Sequence, residues 1–98
     1  MTGFVYFARR GRGIVKIGAS WRPDLRVRAL CTKTPGLRLL GFVEGPRQAE
    51  RFVHNTLASA RIVGEWYWPR AQVLDFIEEA IRRGQIPGFA RWWREGAA

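Results

Sequence analysis

Near the start of the chain, two short apolar runs flank an Arg/Gly segment in the stretch FVYFARRGRGIVKIG, residues 4–18. Aromatic and β-branched residues favour extended backbone, and Gly11 and Gly13 supply turn freedom. The stretch is therefore expected to form a β-hairpin with strands over 3–8 and 14–19. Each run places one polar side chain, Tyr6 or Lys16, among its hydrophobes. If the turn comprises Arg9 to Gly13, Ala8 pairs with Ile14 and Tyr6 lies opposite Lys16 on one face. A tighter turn at Gly11-Arg12 shifts the pairing by one and sends Lys16 to the other face, and the sequence leaves the register open. A buried tyrosine with a satisfied hydroxyl is the structural reading of Tyr6, and a site residue is the functional one.

A hairpin alone is marginal in water, so the rest of the chain has to cover it. Trp21-Arg22-Pro23-Asp24 is expected to open a helix that runs to about Thr32, with Pro23 in the first turn and Asp24 at the positive end of the dipole. LRLLGFVEG (37–45) reads as a third strand. A helix from about Pro46 to Ala60 carries Ala49, Phe52, Val53, Thr56, Leu57 and Ala60 as a stripe. GEWYWP (64–69) reads as a short extended connection. Residues 70–83 form another amphipathic helix with Val73, Phe76, Ile77, Ala80 and Ile81 inward, stopped by Gly84. IPGFARWWREGAA adds a last short helix whose Phe89, Trp92 and Trp93 are expected to cover the core. With 98 residues, 47% of them hydrophobic, the chain is expected to be one α+β domain, 1–98, with a core over about 3–84 and a Trp-rich extension over 85–98. The longest apolar runs are a handful of residues, against the roughly 18 that a membrane span needs. No signal segment is evident, and a soluble cytoplasmic protein is expected. The single cysteine, Cys31, excludes an intrachain disulfide and a multi-cysteine zinc site, and is expected to act as a small buried hydrophobe.

The charge is +9 and unevenly spread: residues 1–49 carry +8 and the remainder +1. Arginine far outnumbers lysine, which suits bidentate contact with phosphate. The N-terminal half is therefore expected to bind a nucleic acid through Arg9, Arg10 and Arg12 at the hairpin turn and through Arg22, Arg28 and Lys33. A merely solvated basic surface is the plainer reading.

Two further features concern chemistry. In the first helix Pro23, Val27 and Leu30 form a stripe whose missing position is Arg26, a residue type that rarely faces a core without a partner. In the second long helix Glu50 and His54 are four apart, each one residue beyond a core position. A salt bridge between Glu50 and Arg26 is the structural reading. The functional one gathers a tyrosine, a lysine, an arginine, a carboxylate and a histidine on one open sheet face, an inventory suited to cleaving phosphodiesters.

At these residues the chain resembles the GIY-YIG nuclease superfamily, in particular its small stand-alone phage- and bacteria-associated branch. FVYFA is similar to the first motif around Tyr6, VKIG to the second with Gly18 retained, and Arg26 falls at the matching distance on the following helix. AERFVHNTL resembles the branch's helix with Glu50 and His54, and GEWYW its Gly-Glu-Trp segment at Gly64, Glu65 and Trp66. The resemblance spans roughly residues 3–78. It implies a small three-stranded antiparallel sheet flanked by helices and a DNA endonuclease that hydrolyses phosphodiester bonds. Tyr6 would activate or orient the attacking water, Arg26 would neutralise charge developing on the phosphorane, and Glu50 would hold one Mg²⁺ or Mn²⁺. Lys16 stands where the family has tyrosine, and Phe4 where the first motif has glycine. An ammonium beside Tyr6 is expected to lower the phenol's pKa and favour a phenolate.

Two other readings remain. A binding module retains the fold and basic face without turnover, and a partner-binding protein in phage–host conflict uses Trp92 and Trp93. Salt-sensitive DNA binding separates the last from the others.

Overall fold

A computed structural model describes residues 3–96; residues 1–2, and residues 97–98 of the expected C-terminal extension, lie outside the described residues. The chain runs through β1 (Gly3–Arg10), β2 (Val15–Ser20), α1 (Pro23–Leu30), β3 (Leu37–Gly45), α2 (Arg47–Thr56), a single 3₁₀ turn (Ala58–Ala60), β4 (Arg61–Val63), β5 (Trp66–Tyr67), α3 (Ala71–Arg83) and α4 (Phe89–Arg94). This is an α+β fold whose sheet has five strands in the order β3-β1-β2-β5-β4, every neighbouring pair antiparallel. The expected three strands are its larger part. The two missed ones are three and two residues long, too short to carry a period of two.

β1 is an interior strand, paired with β3 on one side and β2 on the other, and both its faces are apolar. Val5 and Phe7 point into the main core with Val15, Ile17, Val43, Ala49, Val53, Tyr67, Val73 and Ile77. Tyr6 and Ala8 point the other way, into a smaller cluster with Val27 and Leu37. α2 and α3 cover the first face and α1 part of the second. A bulge in β3 opposite Phe7/Ala8 lets Leu40 join the main core while Leu37 and Leu39 serve the second. There Gly41 admits α3: an added Cβ would lie 2.6 Å from the end of Ile81.

The hairpin register differs from the expected one. Arg10 N–H donates to Ile14 O (3.1 Å) and Gly13 N–H to Arg10 O (2.8 Å), leaving a three-residue loop in which Gly11 takes a φ of +54°. Tyr6 therefore pairs with Gly18, and Lys16 with Ala8. The shift is two residues, so Tyr6 and Lys16 keep a common face but stand diagonally rather than opposite.

α1 ends at Leu30, short of Thr32, and buries Pro23 and Val27; Arg26 is exposed at its rim rather than turned inward. Half-buried Cys31 packs on the second cluster and donates its Sγ–H to Leu37 O at 3.1 Å. α2 stops at Thr56 instead of Ala60, because the chain must turn to lay β4 against β5; Gly64, in the link, has a φ of +56°. α3 buries Val73, Ile77 and Ala80 and ends at left-handed Gly84, while Ile81 stays partly exposed over Gly41. In α4, Phe89 and Trp92 pack on Phe52 with ring centroids 5.7 and 5.2 Å away, and Trp93 is exposed. Among the described residues no helix is long and apolar enough to cross a membrane.

Candidate active site at the free edge of β2

The Tyr6 ring lies flat over Gly18, its cross-strand partner. A Cβ on Gly18 would stand 2.7 Å from the Tyr6 Oη and 2.8 Å from two ring carbons, so only glycine leaves room for the ring. Tyr6 is 1% exposed. Its pKa is raised, first by burial and then by the negative charge of Glu65, with Glu50 adding a smaller share. The Arg26 guanidinium beside the phenol opposes the rise without cancelling it. The phenolate expected from Lys16 is thus overturned.

Lys16 is otherwise engaged. Its Nζ is 3.1 Å from Glu65 Oε1 and 4.9 Å from the centre of the Trp66 ring, its partner on β5. The ammonium is neutralised by Glu65 and held by the indole face, so it orders the β4–β5 link rather than charging Tyr6. Glu65 and Trp66 of the Gly-Glu-Trp segment therefore serve as the anchors of Lys16.

Glu50 and His54 come from the opposite side of the sheet, because Ala49 and Val53 of the same helix face the main core. The convergence on one sheet face expected from sequence is not what is found: Tyr6 and Lys16 lie on one face and Glu50 and His54 on the other. β5 pairs only Val15 and Lys16 of β2, and the Ile17 N–H bond to Glu65 O (2.9 Å) is the last link. Among the described residues, β2 borders no strand on that side from Gly18 onward. The charges of Glu50 and Glu65 act on both Tyr6 and Tyr67, one tyrosine from each face.

Tyr67 was not anticipated. It is fully buried, and burial chiefly pushes its phenol up to about 12, against the opposing charge of Arg61. Its hydroxyl is hydrogen-bonded to His54 Nδ1, and the two rings stack at 5.5 Å. His54 Nε2 in turn faces Glu50 Oε2 at 3.5 Å. Glu50 is thus oriented through His54 by a group thirteen residues further along the chain. The Glu50–Arg26 salt bridge is absent: among the described residues Arg26 forms no ion pair, and Glu50 pairs with His54.

The basic residues divide. Arg9 folds back on the turn, donating from Nε to Gly13 O (2.9 Å) and from Nη2 to Arg12 O (2.6 Å), so it does not project as expected. Arg10, Arg12, Arg28 and Lys33 are exposed. Arg22 bonds Asp24 at 3.5 Å, which holds that carboxyl below its ordinary range. Glu50 and His54 border a groove of about 430 Å³ along α2 that Arg47, Arg51, Asn55 and Arg61 complete. Arg47 and Arg51 share the helical side of His54, a spacing the sequence already contained.

As for a metal, no cluster of three or more His, Cys, Asp or Glu suited to holding an ion occurs among the described residues. One carboxylate, Glu50, faces the groove. Mg²⁺ commonly binds through one or two carboxylates, its own waters and substrate phosphates, so this donor set fits an ion that arrives with a phosphate.

Compared with known proteins, the chain matches no family model, no curated relative and no solved structure, so the arrangement around Gly18 has to be interpreted from its own chemistry.

Proposed function

We propose that the chain is a divalent-metal-dependent DNA endonuclease of the GIY-YIG type, with its centre at the free edge of β2. The observation that carries this reading is the Tyr6 phenol fixed over Gly18, with the Arg26 guanidinium at its hydroxyl and the Glu50 charge felt there.

The raised pKa of Tyr6 makes it a neutral phenol that holds the attacking water by a hydrogen bond, not a preformed phenolate. Arg26 is exposed beside the phenol. An incoming phosphate draws the guanidinium into a charge-assisted contact and places a cation beside the equatorial oxygens as negative charge develops. Glu50, steered by His54 and Tyr67, would hold the Mg²⁺, which supplies charge neutralisation at the phosphate and leaving oxygen. Lys16 keeps Glu65 from adding an uncompensated charge next to Tyr6.

A second reading, a DNA-binding module without turnover, is favoured by one observation: the near-complete burial of Tyr6. Supercoiled plasmid and branched DNA incubated with Mg²⁺ or Mn²⁺, and separately with chelator, distinguish the two. Glu50→Gln should abolish metal-dependent cleavage and leave DNA binding intact or tighter, because it removes a negative charge near phosphate. Among the described residues its charge partner is His54, at 3.5 Å, so the stability loss should stay below about 1 kcal/mol. A Glu50→Gln chain that cleaves like the parent ends the metal assignment, and a parent that never cleaves leaves the binding module.

A further inference from the structure

The outer side of α2 presents a row of residues that the core does not use. Arg47 and Arg51 are one turn apart, His54 and Asn55 follow, and Arg61 enters from β4. The three arginines are exposed, and among the described residues none is in an ion pair. Arg61 is fixed by Nε, which donates to Gly64 O at 2.6 Å. Against these three cations the 430 Å³ groove holds one carboxylate, Glu50, so its field selects an anion.

Arg47 also lines a second cleft of about 340 Å³, bordered by Gly3, Phe4, Ala19, Trp21 and Gly45. Three of those positions carry no side chain larger than a methyl. Trp21 is 54% exposed, and a Cβ on Gly3 would lie 3.9 Å from its indole. An open cleft beside an exposed indole can accept a planar ring, and the exposed arginines can accept phosphates. A strand whose bases are free can satisfy both, whereas a duplex keeps its bases stacked and paired.

We propose that an unpaired stretch of a DNA strand lies along α2, with one base against Trp21 in the glycine-bordered cleft and its phosphates on Arg47, Arg51 and Arg61. The choice of DNA as the polymer rests on the nuclease reading; the preference for a strand with free bases rests on the cleft. The strand then passes Glu50 and His54, and the exposed turn arginines Arg10 and Arg12 lie outside the main track.

The test is fluorescence anisotropy with a labelled oligothymidine and with a duplex of equal length, in chelator so that cleavage does not intervene, across a salt series. The parent should bind the single strand more tightly than the duplex. Arg47→Gln/Arg51→Gln/Arg61→Gln should lose roughly tenfold or more in affinity and flatten the log–log salt slope by about 2, since a single strand contributes about 0.7 for each neutralised phosphate. Trp21→Ala should weaken binding roughly fivefold or more with the slope unchanged, because stacking is not ionic. Unfolding midpoints equal to the parent's, expected for exposed side chains, show that these losses are local. A duplex preference in the parent, or full affinity and slope in the triple variant, overturns the proposal. Plasmid cleavage by the parent in Mg²⁺, measured alongside, reports on the nuclease reading separately: cleavage with an unaltered triple variant rejects the α2 track alone.

Discussion

The most direct perturbation of the site is one methyl group at Gly18. In Gly18→Ala the new Cβ falls 2.7–2.8 Å from Tyr6 Oη, Cε2 and Cζ, against about 3.5–4.0 Å at a comfortable carbon contact. The ring has little room to retreat, since Tyr6 is buried against Ala8, Val27 and Leu37. Overpacking of this kind costs about 1–3 kcal/mol. Removing a glycine from a strand interior returns about 0.5–1 kcal/mol through the unfolded chain. A net loss of about 1–2 kcal/mol follows, lowering Tm by roughly 4–8 °C for each kcal/mol in a domain of this length. The assay is urea unfolding of four chains: parent, Gly18→Ala, Tyr6→Ala and the double variant. With the ring removed, the methyl has nothing to strike, so Gly18→Ala in the Tyr6→Ala background should be neutral or stabilising. The coupling between the two sites should then be about 1–3 kcal/mol. If Gly18→Ala costs the same with and without the Tyr6 ring, the account of why this position is glycine is wrong.

Three further outcomes follow from the same geometry. The chain has two tyrosines, both with raised pKa values, so ultraviolet phenolate absorbance should stay absent until the pH passes the ordinary tyrosine value of about 10. Above that value the unfolded chain releases these protons first, and stability falls as the pH rises towards the Tyr67 value of about 12; Tyr67→Phe should remove roughly 2–3 kcal/mol of this alkaline loss, and an unchanged slope refutes the assignment. Lys16→Met keeps the stem over Trp66 but strips Glu65, itself 42% exposed, of its partner. The cost should be under about 1 kcal/mol, and Lys16→Met/Glu65→Gln should regain part of it in thermal unfolding. Phe52→Ala withdraws the ring on which Phe89 and Trp92 rest. It should cost about 2–3 kcal/mol, less than a fully buried phenylalanine, and amide exchange in 89–94 should rise well above that in α3.

What the sequence conveyed about this fold follows from what leaves a periodic trace. Two runs of aromatic and β-branched residues around an Arg/Gly turn marked a hairpin, but its register, and so whether Tyr6 and Lys16 share a face, was left open; the observed register differs by two residues from the five-residue-turn alternative and so keeps them on one face. The stripes of α2 and α3 located Ala49, Val53, Val73 and Ile77 correctly in the core. The same reasoning misplaced Arg26, because an eight-residue helix over a small cluster buries only two positions, and the third place of its stripe falls at the rim. β4 and β5 left no pattern, since Arg61–Val63 is exposed throughout and Trp66–Tyr67 is a single alternation. The bond from Tyr67 to His54 joins positions thirteen apart and depends on β5 laying Tyr67 on the α2 face, so no local signal announces it.

The brevity of β5 is also what makes a site possible here. Had β5 continued along β2 past Lys16, a strand would border Gly18 on both sides, and the sheet would separate Tyr6 and Arg26 on one face from Glu50 and His54 on the other. The left-handed turn at Gly64 and the capture of Lys16 by Glu65 and Trp66 end the pairing one step before that. The Ile17 N–H donates the last bond to Glu65 O, and the next position is a glycine with an aromatic ring lying across it. Beyond the charge of Glu65 and the packing of Trp66 beside Tyr6, Gly64, Glu65 and Trp66 thus decide where the sheet stops. Lengthening β5 by pairing residues inserted between Gly64 and Glu65 should leave the core intact and close the edge. Loss of metal-dependent cleavage with unaltered stability would place that edge, rather than either sheet face, at the centre of the chemistry; retained cleavage would show that the two sets of residues need not meet around Gly18.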